Sequence, residues 1–165
     1  MTQPLALVTG SAHRLGKAFA LILARMGYDL LLHYHSAEEQ AQQTKNEIES
    51  LGVKVHLFKA DLTQPNQVQS LISNLDSLIS ITNYHLLLLV NSAAIMPVGN
   101  PRELELKDWD SALDLNLRAP FLLAQEAAKR MTAGGLIVNI TDIGAQKTWS
   151  RYPSYTVSKS ALESL

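Results

Sequence analysis

The 165-residue chain contains no cysteine. That excludes disulfides, thiolate nucleophiles and Cys-ligated metals, and it fits a reducing compartment. Charge of neither sign dominates: 14 Lys and Arg stand against 15 Asp and Glu, a formal net charge of −1. With the two signs interspersed there is no basic stripe for nucleic acid or an anionic membrane, so small molecules and other protein chains are the expected partners. Long apolar runs are missing too. Runs such as LLLLV at residues 86–90 are far too short to span a bilayer, and residues 1–10 lack the basic start of a signal peptide. The chain therefore reads as cytoplasmic. Internal repeats, low-complexity tracts and linkers are absent, so a single domain is expected over residues 1–165.

What is present is an alternation. Short β-prone runs at residues 5–9, 29–34, 53–59, 86–91 and 136–141 are separated by segments of helical period. The helices fall at residues 15–26, 37–51, 66–79 and 109–131, with a last one from about residue 152. This pattern predicts a doubly wound α/β fold, a parallel sheet covered by helices on both faces. The unbroken run at 86–90 suits a central strand buried on both sides. Pro65 stands where a first helical turn accepts proline.

After the first strand, LVTGSAHRLG leads through a glycine turn into a helix. That order places Gly10 and Gly16 where backbone can approach a pyrophosphate seated on a helix N-terminus. The spacing departs from G-x-G-x-x-G. The longer pattern T-G-x-x-x-R-x-G, from Thr9 to Gly16, resembles the short-chain dehydrogenase/reductase family, and within it the opening of the pteridine reductases. The resemblance implies a Rossmann-like domain with Thr9, Gly10, Leu15 and Gly16 at the cofactor. Arg14 occupies a position that is usually glycine in the family. Its guanidinium can hold the 2′-phosphate of NADP bidentately, so NADP(H) is expected over NAD(H). The second strand ends in His33, Tyr34, His35 and Ser36, with no acid to hold the ribose hydroxyls of NAD. Asp61 and Leu62 match the family's adenine-side residues, and Asn91, Ser92 and Ala93 match its small-residue turn after the fourth strand. Read without the family, Arg14 is a solvated helix-start residue, the histidines are strand-end polar groups, and Asp61 is a loop acid or helix cap.

Tyr155 and Lys159 are spaced i, i+4, which puts both on one helix face. The resemblance makes them the catalytic pair. Tyr155 would deliver a proton, while Lys159 would favour its phenolate and hold the nicotinamide ribose. Asn116 matches the family asparagine that supports a water leading to Lys159; its other reading is a buried polar residue in need of a partner. Asp142 stands thirteen residues before Tyr155, where most of the family has a serine that donates to a substrate carbonyl. A carboxylate cannot donate, and it opposes a developing oxyanion. It does suit a C=N bond whose nitrogen needs a proton, and pteridine reductases resemble this chain in having aspartate there. The alternative for Asp142 is a loop residue capping local backbone, with Thr141 or Ser150 as the missing donor.

Ile95 and Met96 replace the aromatic that commonly stacks a pterin, and Trp149 is a candidate for lining the site from the opposite loop. The expected activity is NADPH-dependent transfer of the pro-S hydride to a small-molecule substrate, a dihydropterin-like C=N. Alternatives are a carbonyl reductase acting on a 3-oxoacyl thioester or small ketone, and a non-catalytic dinucleotide-binding protein. The resemblance covers essentially the whole chain, yet family members continue for about half as long again. It thus implies an enzyme truncated at the C-terminus, poorly active by itself, and a homo-oligomer where that region is present.

Overall fold

Five parallel strands alternate with helices. In the computed structural model, which describes residues 3–131, 134–147 and 149–165, β1 (Gln3–Val8) leads into α1 (Arg14–Arg25), followed by β2 (Asp29–Tyr34) and α2 (Glu38–Glu49). β3 (Val55–Lys59), α3 (Pro65–Ile81) and β4 (Tyr84–Asn91) complete the first half of the alternation. α4 (Leu106–Leu113), a π turn (Asp114–Arg118) and α5 (Ala119–Arg130) form one long helical rod. β5 (Leu136–Asn139), a 3₁₀ turn (Ile143–Ala145) and α6 (Pro153–Glu163) follow. The single helix expected over residues 109–131 is therefore three pieces, because the DLNLR segment winds as a π turn. β3 and β5 are each two residues shorter than expected; β5 stops at Asn139, where β4 offers its last pairing partner, Asn91.

The strand order is β3-β2-β1-β4-β5. It reverses between β1 and β4, so the helices that follow those two strands pack on opposite faces of the sheet and leave a crevice at the strands' carboxyl ends. Each face of the sheet carries its own core. Leu5, Leu7, Leu31 and Leu89 pack with Val68, Leu71 and Leu75 of α3 and Leu123 of α5. Ala6, Val8, Leu30 and Leu32 pack with Ala20 and Leu23 of α1 and Ile48 of α2. Alternate residues of one strand thus serve opposite layers. β4 contains a correction to simple alternation. Leu5 pairs with Leu86 but Ala6 with Leu88, so Leu87 is an extra, half-buried residue in a bulge. The bulge flips the phase: Leu86 and Leu89 belong to one core, Leu88 and Val90 to the other.

His33 ties three strand ends together. Its Nδ1 accepts from the Gly10 amide at 3.2 Å and its Nε2 faces the Ala60 carbonyl oxygen at 3.0 Å. Those partners require a neutral ring carrying its proton on Nε2. Burial pushes the His33 pKa down to about 4, against a weaker upward pull from the Ala60 carbonyl. His33 is therefore an internal brace of the glycine turn, and it brings no positive charge to a cofactor phosphate.

Two outcomes follow from this framework. Leu89→Ala is expected to lower unfolding free energy by roughly 2–5 kcal/mol in urea denaturation, since its side chain is fully buried between sheet and helices. The unfolded chain binds a proton at His33 below pH 6.5, whereas the folded chain resists it down to about 4. Stability should thus be complete above 6.5 and fall by about 3 kcal/mol as pH drops through that window. Unfolding at successive pH values should show this limb flattened in His33→Gln, leaving the shallower contribution of His56, whose pKa burial also lowers.

Candidate active site

The crevice is a cleft of about 880 Å³, and it gathers most of the residues singled out by the motifs. Its floor is the meeting of two loops. Gly10 has φ +64°, and a Cβ on it would sit 2.8 Å from the Ala93 Cα, so only glycine allows this approach. A Cβ on Gly16 would collide with the Gly10 carbonyl oxygen. Thr9 does not reach the cleft. Its Oγ1 accepts from the amides of Ser92 at 3.0 Å and Ala93 at 3.1 Å, pinning the β4 loop to the glycine turn. Asn91 also lies behind the surface, donating to Asn139 Oδ1 at 2.9 Å. Thr9 and Asn91 therefore brace the floor of the cleft from behind and do not line it.

The N-terminus of α1 opens onto this floor. His13 supplies no side-chain cap and the first turn holds no acid, so the orphan amides of that turn are available to an anion. Arg14 is strained: it is the only non-glycine residue with positive φ among the described residues, at 54°. The left-handed conformation costs an arginine about 1 kcal/mol. Its guanidinium is exposed at the cleft, with neither ion-pair nor hydrogen-bond partner among the described residues. Leu15 is half exposed at the same rim. Of the β2-end residues, Tyr34 packs against Ala12 and Ala41, leaving His35 and Ser36 exposed beside the cleft. The nearest acid of α2, Glu38, is committed to Lys59 at 3.0 Å.

Asp61 and Leu62 line the same end. Asp61 is held in place by the amide and hydroxyl of Thr63, at 3.0 and 2.7 Å. Burial raises its pKa, but the two Thr63 bonds and the nearby His35 and His33 outweigh that and leave it below the usual carboxylate range.

At the far end stand Asp142, Tyr155 and Lys159. The Asp142 Oδ1 accepts from the Gly144 amide at 2.7 Å, capping the 3₁₀ turn. The local-cap reading and the site reading of Asp142 both hold, because the same carboxylate faces Tyr155. Burial and the Asp142 charge push the Tyr155 pKa up to about 12. This corrects the expectation that Lys159 favours phenolate. The Lys159 Nζ lies 5.9 Å from the Tyr155 ring centre and donates instead to the Ile140 carbonyl at 2.6 Å. Burial lowers the pKa of that lysine, and Asp142 partly offsets the effect.

Asn116 is fully buried and does not line the cleft. Its Oδ1 accepts from the Ile95 amide, and its Nδ2 donates to the Ile95 carbonyl and the Ser158 hydroxyl, at 2.9 to 3.0 Å. Both amide hydrogens are used, so its side chain clamps the β4 loop to α6 and has no donor left for a water. Ser158 and the Ile140 carbonyl were not legible in the sequence: one looks like any helix serine, and the other is backbone. Thr141 and Met96 line the cleft, whereas Ser150 and Trp149 face a neighbouring groove. Trp149 packs edge-on against Tyr152 there.

Comparison with known proteins agrees with the fold. Residues 4–165 match the short chain dehydrogenase family. A short-chain type dehydrogenase/reductase of Picea abies is 33% identical over 168 residues, covering 96% of this chain and 60% of that protein. The promiscuous reductase LugOII, described as catalysing keto-reduction at C1 during lugdunomycin biosynthesis, has a similar structure, with TM-score 0.92 and 34% identity over 99% of this chain and 68% of its own. The landomycin C-6 ketoreductase LanV, solved with bound NADP and rabelomycin, gives TM-score 0.92 and 31% identity, over 99% of this chain and 67% of its own. The chain spans about 60% of the length of the curated relatives it matches. Fold and sequence agree along nearly the whole chain, which belongs to the short chain dehydrogenase family.

Proposed function

We propose that the cleft binds NADPH and that the chain acts as a reductase of a small organic substrate, with a dihydropterin-like C=N as the preferred acceptor. The observation that carries this reading is the Asp142 carboxylate facing Tyr155 inside the cofactor cleft. The residues fit the dinucleotide: a glycine floor that side chains would fill, uncapped amides at the α1 N-terminus, and an unpaired guanidinium at the rim.

When bound, NADPH supplies the hydride. The chain's own residues handle the proton and the orientation. Tyr155, with its pKa near 12, is a neutral phenol at physiological pH and so a donor in the reductive direction. Its proton passes from Oη to the substrate nitrogen as carbon receives the hydride, and the phenolate is then reprotonated from solvent. Lys159, anchored on the Ile140 carbonyl, keeps its ammonium at the same end of the cleft, where the Asp142 charge helps sustain it. Asp142 accepts a hydrogen bond from a ring N–H, a role open to a pterin and closed to a simple ketone.

A second reading, carbonyl reduction, is favoured by the similar structures of ketoreductases and by Thr141, a hydroxyl-bearing residue that lines the same cleft and can replace the missing serine. Cooperation of Tyr155, Lys159 and the Asn116 clamp at one end of the cleft argues against a purely non-catalytic dinucleotide binder. Small-molecule partners suit a concave cleft of this kind. Among the described residues no helix is long and apolar enough to cross a membrane.

NADPH oxidation followed by absorbance, with dihydropterins and 3-oxoacyl thioesters as acceptors, separates the two readings. Tyr155→Phe is expected to reduce turnover at least about 100-fold with either acceptor. Asp142→Ser should depress dihydropterin turnover and raise carbonyl turnover; turnover confined to carbonyls in the unaltered chain would assign the second reading. Asp142→Asn removes the charge that helps hold Tyr155 near 12, so the alkaline fall in kcat should move to lower pH. Arg14→Gly relieves the left-handed strain, leaving stability within about 1 kcal/mol of the parent. NADPH affinity should drop about tenfold or more relative to NADH, as read by fluorescence titration.

A further inference from the structure

Arg118 closes the π turn that carries Asn116, two residues earlier in the chain. Two residues apart on a helical turn, the side chains face nearly opposite sides. Asn116 reaches the β4 loop and α6, toward the Tyr155 end of the cleft. Arg118 reaches the other way. Its Nη1 pairs with Asp114 at 2.8 Å, and its Nη2 donates to the Thr63 carbonyl at 2.7 Å, 55 residues away in sequence.

Thr63 is the residue that orients Asp61, through its amide and hydroxyl. The Asp61 amide is in turn held by the Gln67 Oε1 at 2.6 Å. A guanidinium charge thus ends a chain of bonds that runs Arg118, Thr63, Asp61, Gln67, and Asp61, Leu62 and Thr63 all line the cleft. A dinucleotide whose pyrophosphate lies on the glycine floor and whose reacting ring lies at Tyr155 has only the Arg14, His35 and Asp61 end left for its adenosine half. The loop that Arg118 grips is therefore the adenosine wall.

We propose that Arg118 is a positioning residue for the adenosine half of the cofactor, setting the β3–α3 loop at a fixed distance from the π turn that braces the reacting end. This rests on the NADPH reading of the cleft. Arg118 touches neither cofactor nor substrate and acts through Thr63. The consequence is specific: its loss loosens one end of the cleft while the clamp at Asn116 stays intact. Lysine can meet the Thr63 carbonyl or Asp114 but lacks the fork that spans both.

The test measures binding, by fluorescence titration of the 165-residue chain and its Arg118→Ala and Arg118→Lys variants. The ligands are NADPH and reduced nicotinamide mononucleotide, which lacks the adenosine half. Arg118→Ala is expected to weaken NADPH about tenfold and leave the mononucleotide unchanged, with Arg118→Lys in between. In turnover, KM for NADPH should rise and kcat hold. Equal weakening of both ligands, or of neither, would overturn the proposal, because a merely structural arginine disturbs both halves or none. Failure of the unaltered chain to bind NADPH would instead overturn the reading of the cleft, and the role of Arg118 with it.

Discussion

Everything at the site depends on how closely two backbones meet at the point where strand order reverses. Gly10 lies against Ala93 with no room for a Cβ, and Thr9 holds the amides of Ser92 and Ala93 from beneath. Without that approach the β1 and β4 loops would part, and the glycine floor would lose its shape. His33 secures the same turn from the β2 side by accepting from the Gly10 amide. The floor is thus built from hydrogen bonds between backbone and buried side chains, and the residues nearest the motif are often its supports.

The reacting end follows a different logic. A carboxylate, a phenol and an ammonium share one cleft, where the protonation of the phenol and of the lysine depends on burial and on the carboxylate. Asp142 and burial hold Tyr155 protonated, while Lys159 turns to a carbonyl. Tyr155 and Lys159 share the α6 face toward the cleft, and the neighbouring Asp142 changes the electrostatics around both. A carboxylate beside a phenol keeps the proton on the phenol and opposes a developing oxyanion, so the residue type at this one position sets what charge the site tolerates.

Much of the architecture was legible in advance. Alternating apolar runs and helical periods located all five strands, because a strand exposed to two cores needs apolar residues on both faces. The glycine turn, Arg14, Asp61, Asp142, Tyr155 and Lys159 do converge on one cleft. Less legible were features that depend on phase and direction. Four consecutive leucines look alike in either phase, so LLLL hides the bulge at Leu87. DLNLR holds no proline or glycine to mark its π turn, and its Asn116 meets the Ile95 backbone 21 residues earlier, a contact that spacing does not show.

The sequence by itself determined which chemistry is available: the order of strands and helices, the glycines at the turn, the absence of an acid at the end of β2, and an aspartate in place of serine. These are properties of local spacing and residue type, and they survive without coordinates. Only the tertiary structure decided what each group does. It made His33 a neutral brace, Asn116 a clamp and Tyr155 a phenol, and it linked Arg118 to Thr63 across the sheet's helical layer. The reason is that hydrogen-bond partners and desolvation come from residues distant in sequence, and a one-dimensional pattern carries no record of which of them will meet.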